Sequence, residues 1–280
     1  MISIIIPAHN ESAVIARTLK SITEGAAPGE LDVIVVCNGC TDTTASIARS
    51  CGSSVRVIET DIASKAHALN VGDRASSTFP RIYVDADVLV EIDAIRKLGR
   101  RLESGDVLAV APTPIYDIRG CSVLVRAFFE IRSYLPSARE GIGGSGVYAL
   151  SEAGRARFEK FPMLTADDGY VRVQFRAQER ETLPTVNSTV FPPRKIKELI
   201  AQKTRNHYGS IELQSLFPAL WRNRGESNNR SLTRLLRRPQ LWFSLAVYCF
   251  VMAVARHRAR KRLRNKTSVW ERDSTSRSLA

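Results

Sequence analysis

The first hundred residues alternate four times between segments typical of strands and segments typical of helices. The strand-like runs, rich in Ile and Val, cover residues 2–6, 31–37, 55–58 and 82–84. Each run leads into a stretch with the spacing or cap residues of a helix. Alternation of this kind builds a mostly parallel sheet with helices on both faces. The sequence therefore predicts an α/β fold.

Prolines and cap residues define the predicted ends of these elements. We expect Pro7 to end the first strand, and Pro112 and Pro114 to end a later strand over residues 107–111. A short strand is predicted over residues 147–150. Helices are predicted over residues 11–22, 43–51 and 122–135, and a further helix opens at Lys65.

Two carboxylates follow the fourth strand. Asp85 and Asp87, separated by Ala86, come directly after Ile82-Tyr83-Val84. While the chain stays extended, side chains at i and i+2 share a face, so both acids can reach one hard cation and the diphosphate that it holds. The alternative is a turn in which the acids cap the helix that begins near Glu91. We treat Asp85 and Asp87 as candidate ligands of Mg²⁺ or Mn²⁺.

A second acidic pair, Asp167 and Asp168, precedes another predicted helix, where N-capping is one interpretation. Upstream, four glycines lie between Gly141 and Gly146. Such a segment lets a backbone pass close to a ligand, or else forms a flexible loop. The strand predicted directly after it favours a segment that is fixed in the sheet.

Charge is distributed unevenly along the chain. Residues 194–280 carry 20 Lys and Arg against 5 Asp and Glu, a net charge of +15, and residues 1–193 carry 21 against 23, or −2, which together give +13. The near-neutral front of the chain, residues 1–193, suits an enzyme acting on small molecules. The basic rear of the chain, residues 194–280, suits binding to anionic lipid. Zinc-finger spacings and basic strands interleaved with aromatics do not occur, so we expect no nucleic-acid partner.

Five cysteines in a chain this long do not form a disulfide framework, which indicates a reducing compartment. Residues 1–25 lack a basic start followed by a long apolar core, so no secretory signal is expected there.

The rear of the chain contains an uncharged apolar run of 15 residues, Leu241 to Ala255. A straight span needs about 20 residues, and basic clusters flank this run on both sides, so a single crossing would leave one cluster on the wrong side. We predict a re-entrant or interface-lying helix at the cytoplasmic face of the cell membrane. A short spanning helix and a buried helix of a soluble protein remain as alternatives.

These patterns predict four parts. A catalytic domain covers residues 1–193, a helical extension 194–238, a membrane-associating helix 239–264 and a disordered tail 265–280.

Four motifs in this order resemble those of family 2 glycosyltransferases of the GT-A fold. They are Ile4 to Glu11, Asn38 to Asp42, Lys65 to Asn70 and Asp85 to Asp87. The resemblance covers roughly residues 1–206. It implies a Rossmann-like, mostly parallel mixed sheet flanked by helices.

The resemblance also implies which residues bind a sugar nucleotide. The turn formed by Pro7, Ala8, Asn10 and Glu11 and the turn at Asn38 hold the nucleoside, and Lys65 lies beside it. Asp85, Ala86 and Asp87 hold a divalent metal, Mg²⁺ or Mn²⁺, against the diphosphate. Many relatives carry an acid at the position of Asn38, whose amide oxygen can accept from a base N–H without charge. Uridine is the favoured base.

In the resembled family the second acidic pair supplies the catalytic base, which implies Asp168 as the base and Asp167 as its neighbour. An acceptor hydroxyl must lose its proton as it attacks the anomeric carbon. One base with a metal-held leaving group implies direct displacement with inversion, unlike hydrolases that place two carboxylates around the bond. We assign Gly143, Gly144 and Ser145 to the acceptor side.

Gln202 to Asn206 resembles the Gln-x-x-Arg-Trp motif of membrane polysaccharide synthases, with Asn206 in place of Trp. The resemblance implies a two-pronged contact of Arg205 with the diphosphate. The alternative is a solvated basic face of a helix. Without the Trp, we expect transfer of a single sugar rather than polymerisation.

The leading hypothesis is an inverting, metal-dependent glycosyltransferase that moves a sugar from a nucleotide sugar to a lipid-linked or membrane-presented glycan acceptor. A nucleotidyltransferase of related fold is one alternative, but it would need a Gly-rich basic loop after the first strand, and Pro7 to Glu11 has no Gly, Lys or Arg. A non-catalytic protein that binds the membrane surface is the other.

Overall fold

A computed structural model describes residues 1–225 and 228–265. In this part of the chain one sheet has the strand order β3-β2-β1-β4-β6-β5-β7. The strands are β1 (Ile2–Ala8), β2 (Leu31–Asn38), β3 (Val55–Thr60), β4 (Arg81–Val84), β5 (Ala109–Tyr116), β6 (Val147–Leu150) and β7 (Arg180–Val190). Only β6 runs antiparallel to its neighbours. The predicted mostly parallel, mixed sheet is confirmed.

Helices cover both faces of the sheet and continue into the basic rear of the chain. They are α1 (Ile15–Thr23), α2 (Thr44–Ser50), α3 (Lys65–Ala75), α4 (Ile92–Glu103), α5 (Val123–Ser133), α6 (Glu152–Arg155), α7 (Asp167–Val173), α8 (Ile196–Leu216), α9 (Asn229–Leu235) and α10 (Trp242–Asn265). Short 3₁₀ turns lie at Pro136–Ala138, Ala177–Glu179, Leu220–Asn223 and Pro239–Leu241.

Side chains of β1 point alternately to the two faces of the sheet and so contribute to two hydrophobic cores. Ile4 and Ile6 pack toward α1 and α4, and Ile5 packs on the opposite face toward α3. All three are fully buried. Strands buried on both faces need continuous apolar runs, which is why residues 2–6 read Ile-Ser-Ile-Ile-Ile.

Three prolines lie inside strands that they were expected to end. Pro7 is part of β1 and pairs with Val36, while the pairing of β1 with β4 stops at Ile5. The nitrogen of Ser3 faces β4, so by alternation the nitrogen of Pro7 also faces that side, where no ladder bond is needed. Pro112 and Pro114 lie in β5 beyond the end of its pairing with β6, so this part of β5 has a neighbour on one side only.

Two further boundaries differ from the predictions. Helix α1 begins at Ile15 rather than Glu11, because residues 11–14 form turns after β1. Strand β7 was not predicted: its exposed middle, Pro184 and Thr185, breaks the apolar pattern that marks a buried strand. Its pairing with β5 shifts register between Pro112 and Thr113.

The helix α10 packs one face on α5 and α8 and exposes the other. Tyr248 stacks on Phe128 of α5 with ring centroids 5.0 Å apart, while Trp242, Phe243 and Phe250 are exposed. By length and composition alone, Pro239–Asn265 is a candidate to cross a membrane. The predicted four-part division stays a prediction, and its tail over residues 265–280 lies, except for Asn265, outside the described residues.

A buried acid joins three elements near the amino end of β4. Asp73 of α3 accepts hydrogen bonds from Arg81 and Tyr83 of β4 and from Arg155 of α6, each at 2.7 Å. Burial raises the pKa of Asp73, but its bonds with Arg155, Tyr83 and Arg81 lower it by more, so the net pKa lies below the ordinary value. The acid therefore stays charged and holds α3 against β4.

We predict that Asp73→Ala lowers the free energy of unfolding by about 3–5 kcal/mol, because it leaves two buried arginines without their counter-charge. Urea denaturation followed by circular dichroism measures this change. Asp106→Ala is the control, since Asp106 is 75% exposed in its ion pair with Arg101 and its removal should cost under about 1 kcal/mol. Equal midpoints for the two variants would contradict the prediction.

Candidate active site

The candidate site lies where the chain changes direction in the sheet. From β1 the chain moves outward to β2 and β3, and then returns through α3 to β4 on the other side of β1. In sheets of this kind ligands bind at the carboxyl ends of the strands beside such a switch point. The residues that follow β1, β2 and β4 all lie at this edge.

The turns after β1 and β2 are tied together by hydrogen bonds. Asn10, which has a positive φ of 53°, accepts at its side-chain oxygen from the backbone of Thr41 at 2.7 Å. The backbone of Glu11 donates to Thr44 at 2.7 Å, and a ring nitrogen of His9 lies 2.6 Å from the carbonyl of Asn38. The two turns therefore form one rigid wall, in which Glu11 is buried.

The side-chain amide of Asn38 is bonded to the chain at the end of β1. The side-chain nitrogen donates to the carbonyl of Ala8 at 2.8 Å. The side chain is buried and is not among those that line the cavity. Ala8 and Pro7 are buried in β1, so Ala8 contributes its backbone rather than its side chain.

The chain turns directly after Asp85 instead of staying extended. The backbone of Val88 donates to the carbonyl of Asp85 at 3.2 Å, and the carbonyl of Ala86 is held by Thr18 at 2.8 Å. Asp85 and Asp87 nevertheless line the same cavity. The expected extended geometry was wrong, but the turn brings the two carboxylates to one place, and Ala86 points into the core.

Lys65, the first residue of α3, joins the two acidic pairs. Its Nζ lies 2.8 Å from Asp85 and 3.0 Å from Asp167. Burial lowers the pKa of Lys65, but Asp167, Asp85 and Asp168 raise it by more, so the net pKa lies above the ordinary value. The ammonium group therefore stays charged and offsets the repulsion among the carboxylates.

Asp167 and Asp168 occupy the first turn of α7. Asp168 lines the cavity, and Asp167 is buried beside Lys65. Asp168 accepts from the backbone of Gly169 at 2.7 Å. Burial and the neighbouring Asp167 raise the pKa of Asp168 to about 6, although Lys65 acts in the opposite direction. A carboxylate with a pKa in this range is ionised at neutral pH and basic enough to accept a proton from a hydroxyl during reaction.

The glycine segment forms turns that lead into β6, and its last residue is tied to the end of β4. The carbonyl of Gly146 accepts from the backbone of Asp85 at 2.8 Å. A Cβ at Gly146 would lie 2.5 Å from Val88, at a φ of +66°, so only glycine fits there. Gly143 and Gly144 line the cavity.

The side chain of Ser145 does not face the cavity. It is fully buried, and its hydroxyl lies 2.7 Å from the carbonyl of Gly141 and 2.5 Å from that of Val147. The predicted acceptor role of Ser145 therefore does not fit its side chain, which instead fixes the turn that leads into β6.

Cations form the other end of the cavity. Arg205 and Lys203 of α8 line it together with Arg132 of α5, in a space of about 240 Å³. Burial, together with Arg132 and Arg205, lowers the pKa of Lys203 to about 7. The cavity is thus acidic where β1 and β4 end and α7 begins, and basic where α5 and α8 meet.

Sequence reasoning did not assign Arg132, Lys203 or Tyr116, all of which line this cavity. Lys203 lies within the segment Gln202 to Asn206, so its position beside Arg205 was available as a signal. Arg132 and Tyr116 carry no local signal, because tertiary packing alone brings α5 and the end of β5 to the site.

The residues present fit a divalent cation that takes some of its ligands from the protein and the rest from a substrate and water. Among residues 1–225 and 228–265, no group of three or more His, Cys, Asp or Glu side chains is arranged to hold a metal. Mg²⁺ is usually held by one or two carboxylates, with waters and substrate phosphates completing the shell. Asp85 and Asp87 match that donor set.

Comparisons with known proteins agree with this architecture. Of the curated relatives, 4,4′-diaponeurosporenoate glycosyltransferase of Staphylococcus aureus (strain USA300) is 39% identical over 102 residues. That match covers 35% of this chain and 27% of the relative. The chain thus corresponds to less than a third of the relative's length.

Solved structures share the fold at low sequence identity. A mannosyltransferase from Pyrobaculum calidifontis, in complex with GDP-Man and Mn²⁺, has a TM-score of 0.61 at 21% identity and covers 96% of this chain and 76% of its own. Glucosyl-3-phosphoglycerate synthase from Mycobacterium tuberculosis, in complex with Mn²⁺, UDP and phosphoglyceric acid, has a TM-score of 0.56 at 21% identity and covers 76% and 78%. Both likenesses indicate the GT-A fold.

The family model described as glycosyl transferase family 2 matches residues 3–142, half of the chain. That range contains the paired turns, Lys65 and the acids after β4, and it ends just before Gly143. The chain belongs to glycosyl transferase family 2.

Proposed function

We propose that this protein transfers a single sugar from a nucleotide sugar to a membrane-presented acceptor, with inversion at the anomeric carbon. One observation carries the proposal: Lys65 pairs with both Asp85 and Asp167, and Asp85, Asp87 and Asp168 line one cavity beside the turn after β1. Such a constellation serves both a leaving diphosphate and an incoming hydroxyl.

The paired turns support a nucleoside-binding role. Glu11 can accept from ribose hydroxyls, and the amide oxygen of Asn38 can accept from the N–H of a base. We propose a UDP-sugar as donor; the M. tuberculosis structure contains UDP, and the P. calidifontis structure contains GDP-Man. Arg205 at the basic end would contact the diphosphate with its two-pronged guanidinium.

Each acid has a separate task in the proposed reaction. Asp85 and Asp87 would hold Mg²⁺ or Mn²⁺, which neutralises charge on the leaving diphosphate. Asp168 takes the proton of the acceptor hydroxyl as its oxygen bonds to the anomeric carbon and the bond to the diphosphate breaks. Asp167 and Lys65 keep this carboxylate in place. Because one base serves one displacement, the configuration at the anomeric carbon inverts.

Turnover of UDP-sugars with Mn²⁺ tests this function. We predict that Asp168→Asn lowers kcat by about 10²–10⁴-fold, the usual contribution of a general base. Asp87→Asn should also abolish most activity and weaken the dependence on Mn²⁺. Asp106→Asn, a matched change at an exposed acid of the described chain, should leave kcat unchanged. Release of UDP at the same rate from all three variants would remove the site assignment.

We further propose that α10 holds the protein at the cytoplasmic face of a membrane. Trp242, Phe243 and Phe250 are exposed, each by about 60%, on a helix whose opposite face packs on the protein. Exposed basic residues follow on this helix and suit anionic headgroups: Arg256, Arg258, Arg260, Lys261 and Arg264. Because one face of α10 packs on the protein, the helix is better suited to lie in the membrane–water interface than to span the bilayer.

We predict that Arg258→Ala with Arg260→Ala weakens binding to anionic vesicles at low salt by up to about thirtyfold, since each basic residue near such a surface contributes about 1 kcal/mol. Vesicle flotation measures the bound fraction. Lys97→Ala with Arg100→Ala on α4 is the matched control and should bind as the parent does. If both pairs of changes weakened binding equally, overall charge rather than α10 would account for association.

A further inference from the structure

Two cations at the basic end of the cavity have no acidic partner among residues 1–225 and 228–265. Arg132 donates to the hydroxyl of Tyr116 at 2.8 and 3.2 Å, and Lys203 lies over the ring of Phe128 at 5.6 Å. Neither forms an ion pair with any Asp or Glu of the described residues. The charged groups that act on Lys203 are Arg132 and Arg205, and both are positive.

Such an arrangement needs an anion to complete it. Burying a cation beside other cations is costly, because neither water nor a counter-charge stabilises it fully. The lowered pKa of Lys203 reflects that cost. An anionic group bound between Lys203 and Arg132 would restore the missing charge balance and form charge-assisted hydrogen bonds with both.

The glycine segment connects this anion site to the proposed base. A Cβ at Gly143 would lie 3.9 Å from a carboxylate oxygen of Asp168, and a Cβ at Gly144 would lie 3.5 Å from a guanidinium nitrogen of Arg132. One molecule lying along these two residues can therefore place a hydroxyl at Asp168 and an anionic group at Arg132. This is the acceptor side of the site rather than the place of the donor diphosphate at Asp85 and Asp87.

An apolar groove lies beside the cavity. It has a volume of about 870 Å³ and shares Tyr116 and Phe129 with the cavity as wall residues. Its other walls include Ile115, Val123 and Phe243, which are 48%, 61% and 59% exposed. Arg126, Glu130 and Arg139 also line it. The groove therefore extends from the neighbourhood of Tyr116 to the exposed apolar face of α10.

We propose that the acceptor is a phospholipid whose head group carries a hydroxyl: Lys203 and Arg132 bind its phosphate, and the groove takes its chains. This inference rests on the proposed function and names its acceptor class. The head-group oxygen bonds to the anomeric carbon, its proton passes to Asp168, and the bond from the anomeric carbon to the diphosphate breaks with its electron pair going to the diphosphate. The acceptor phosphate takes no part in bond making.

Two short-chain lipids, both below their micelle concentrations, test this inference in calorimetric titrations of the full chain without donor. Dihexanoyl phosphatidylglycerol carries a phosphate and hydroxyls, and dihexanoylglycerol carries a hydroxyl but no charge. We predict that the protein binds the charged lipid at least about tenfold more tightly, and that Lys203→Met or Arg132→Met removes this preference. Lys197→Met, at an exposed lysine of the same helix, should retain it.

A second arm tests the groove and a third tests the donor side. Val123→Ser should weaken binding of both lipids to the same degree, and Leu216→Ser, at a residue 60% exposed elsewhere, should weaken neither.

Lys203→Met should leave the affinity for UDP with Mn²⁺ within about twofold and should not lower the melting temperature, because it removes a buried charge.

Equal affinity of the parent for both lipids would overturn the inference. So would a Lys203→Met variant that loses UDP affinity while keeping lipid affinity, since the cations would then belong to the donor. Failure of the proposed function shows differently: no sugar nucleotide would be turned over, whatever the lipid binding.

Discussion

The site depends on the ammonium group of Lys65. Asp85 follows β4, and Asp167 begins α7 some eighty residues later, so nothing local keeps the two acids together. Lys65 lies within 3.0 Å of both, and its positive charge offsets their repulsion. Because α3 begins with this lysine and is held against β4 through Asp73, the same two elements position the lysine and Asp85, one of the two acids that it pairs with.

The cavity separates opposite charges by using different parts of the chain. Its acidic end is built from strand ends and from the first turn of α7. Its basic end is built from α5 and α8, which also pack on α10. A donor that brings a metal and a diphosphate suits the acidic end together with Arg205, and an anionic acceptor suits Lys203 and Arg132. The cations of the basic rear therefore lie in two places: some face the cavity, and others lie exposed along α10.

Sequence patterns predicted the parts of this site that depend on parallel strands. The turns at Asn10 and Asn38 and the acids after Val84 follow three neighbouring strands, and parallel strands place their carboxyl ends at one edge. The patterns did not predict what depends on packing between distant elements. Pro7, Pro112 and Pro114 continue their strands because the far side of each strand is unpaired, and Ser145 turns inward because two carbonyls lie beside it. Arg132 and Lys203 likewise come to the same end of the cavity only through the packing of α5 near α8.

We expect Asp85 and Asp87 to bind a metal together with a nucleoside diphosphate, and Mn²⁺ binding can be followed by electron paramagnetic resonance. Two carboxylates hold Mn²⁺ weakly without further ligands. The protein with UDP should therefore bind Mn²⁺ at least about tenfold more tightly than the protein without UDP, and also at least about tenfold more tightly than free UDP does. Asp87→Asn should remove this increase. Mn²⁺ binding that is equally tight with and without UDP, or unchanged by Asp87→Asn, would contradict the account.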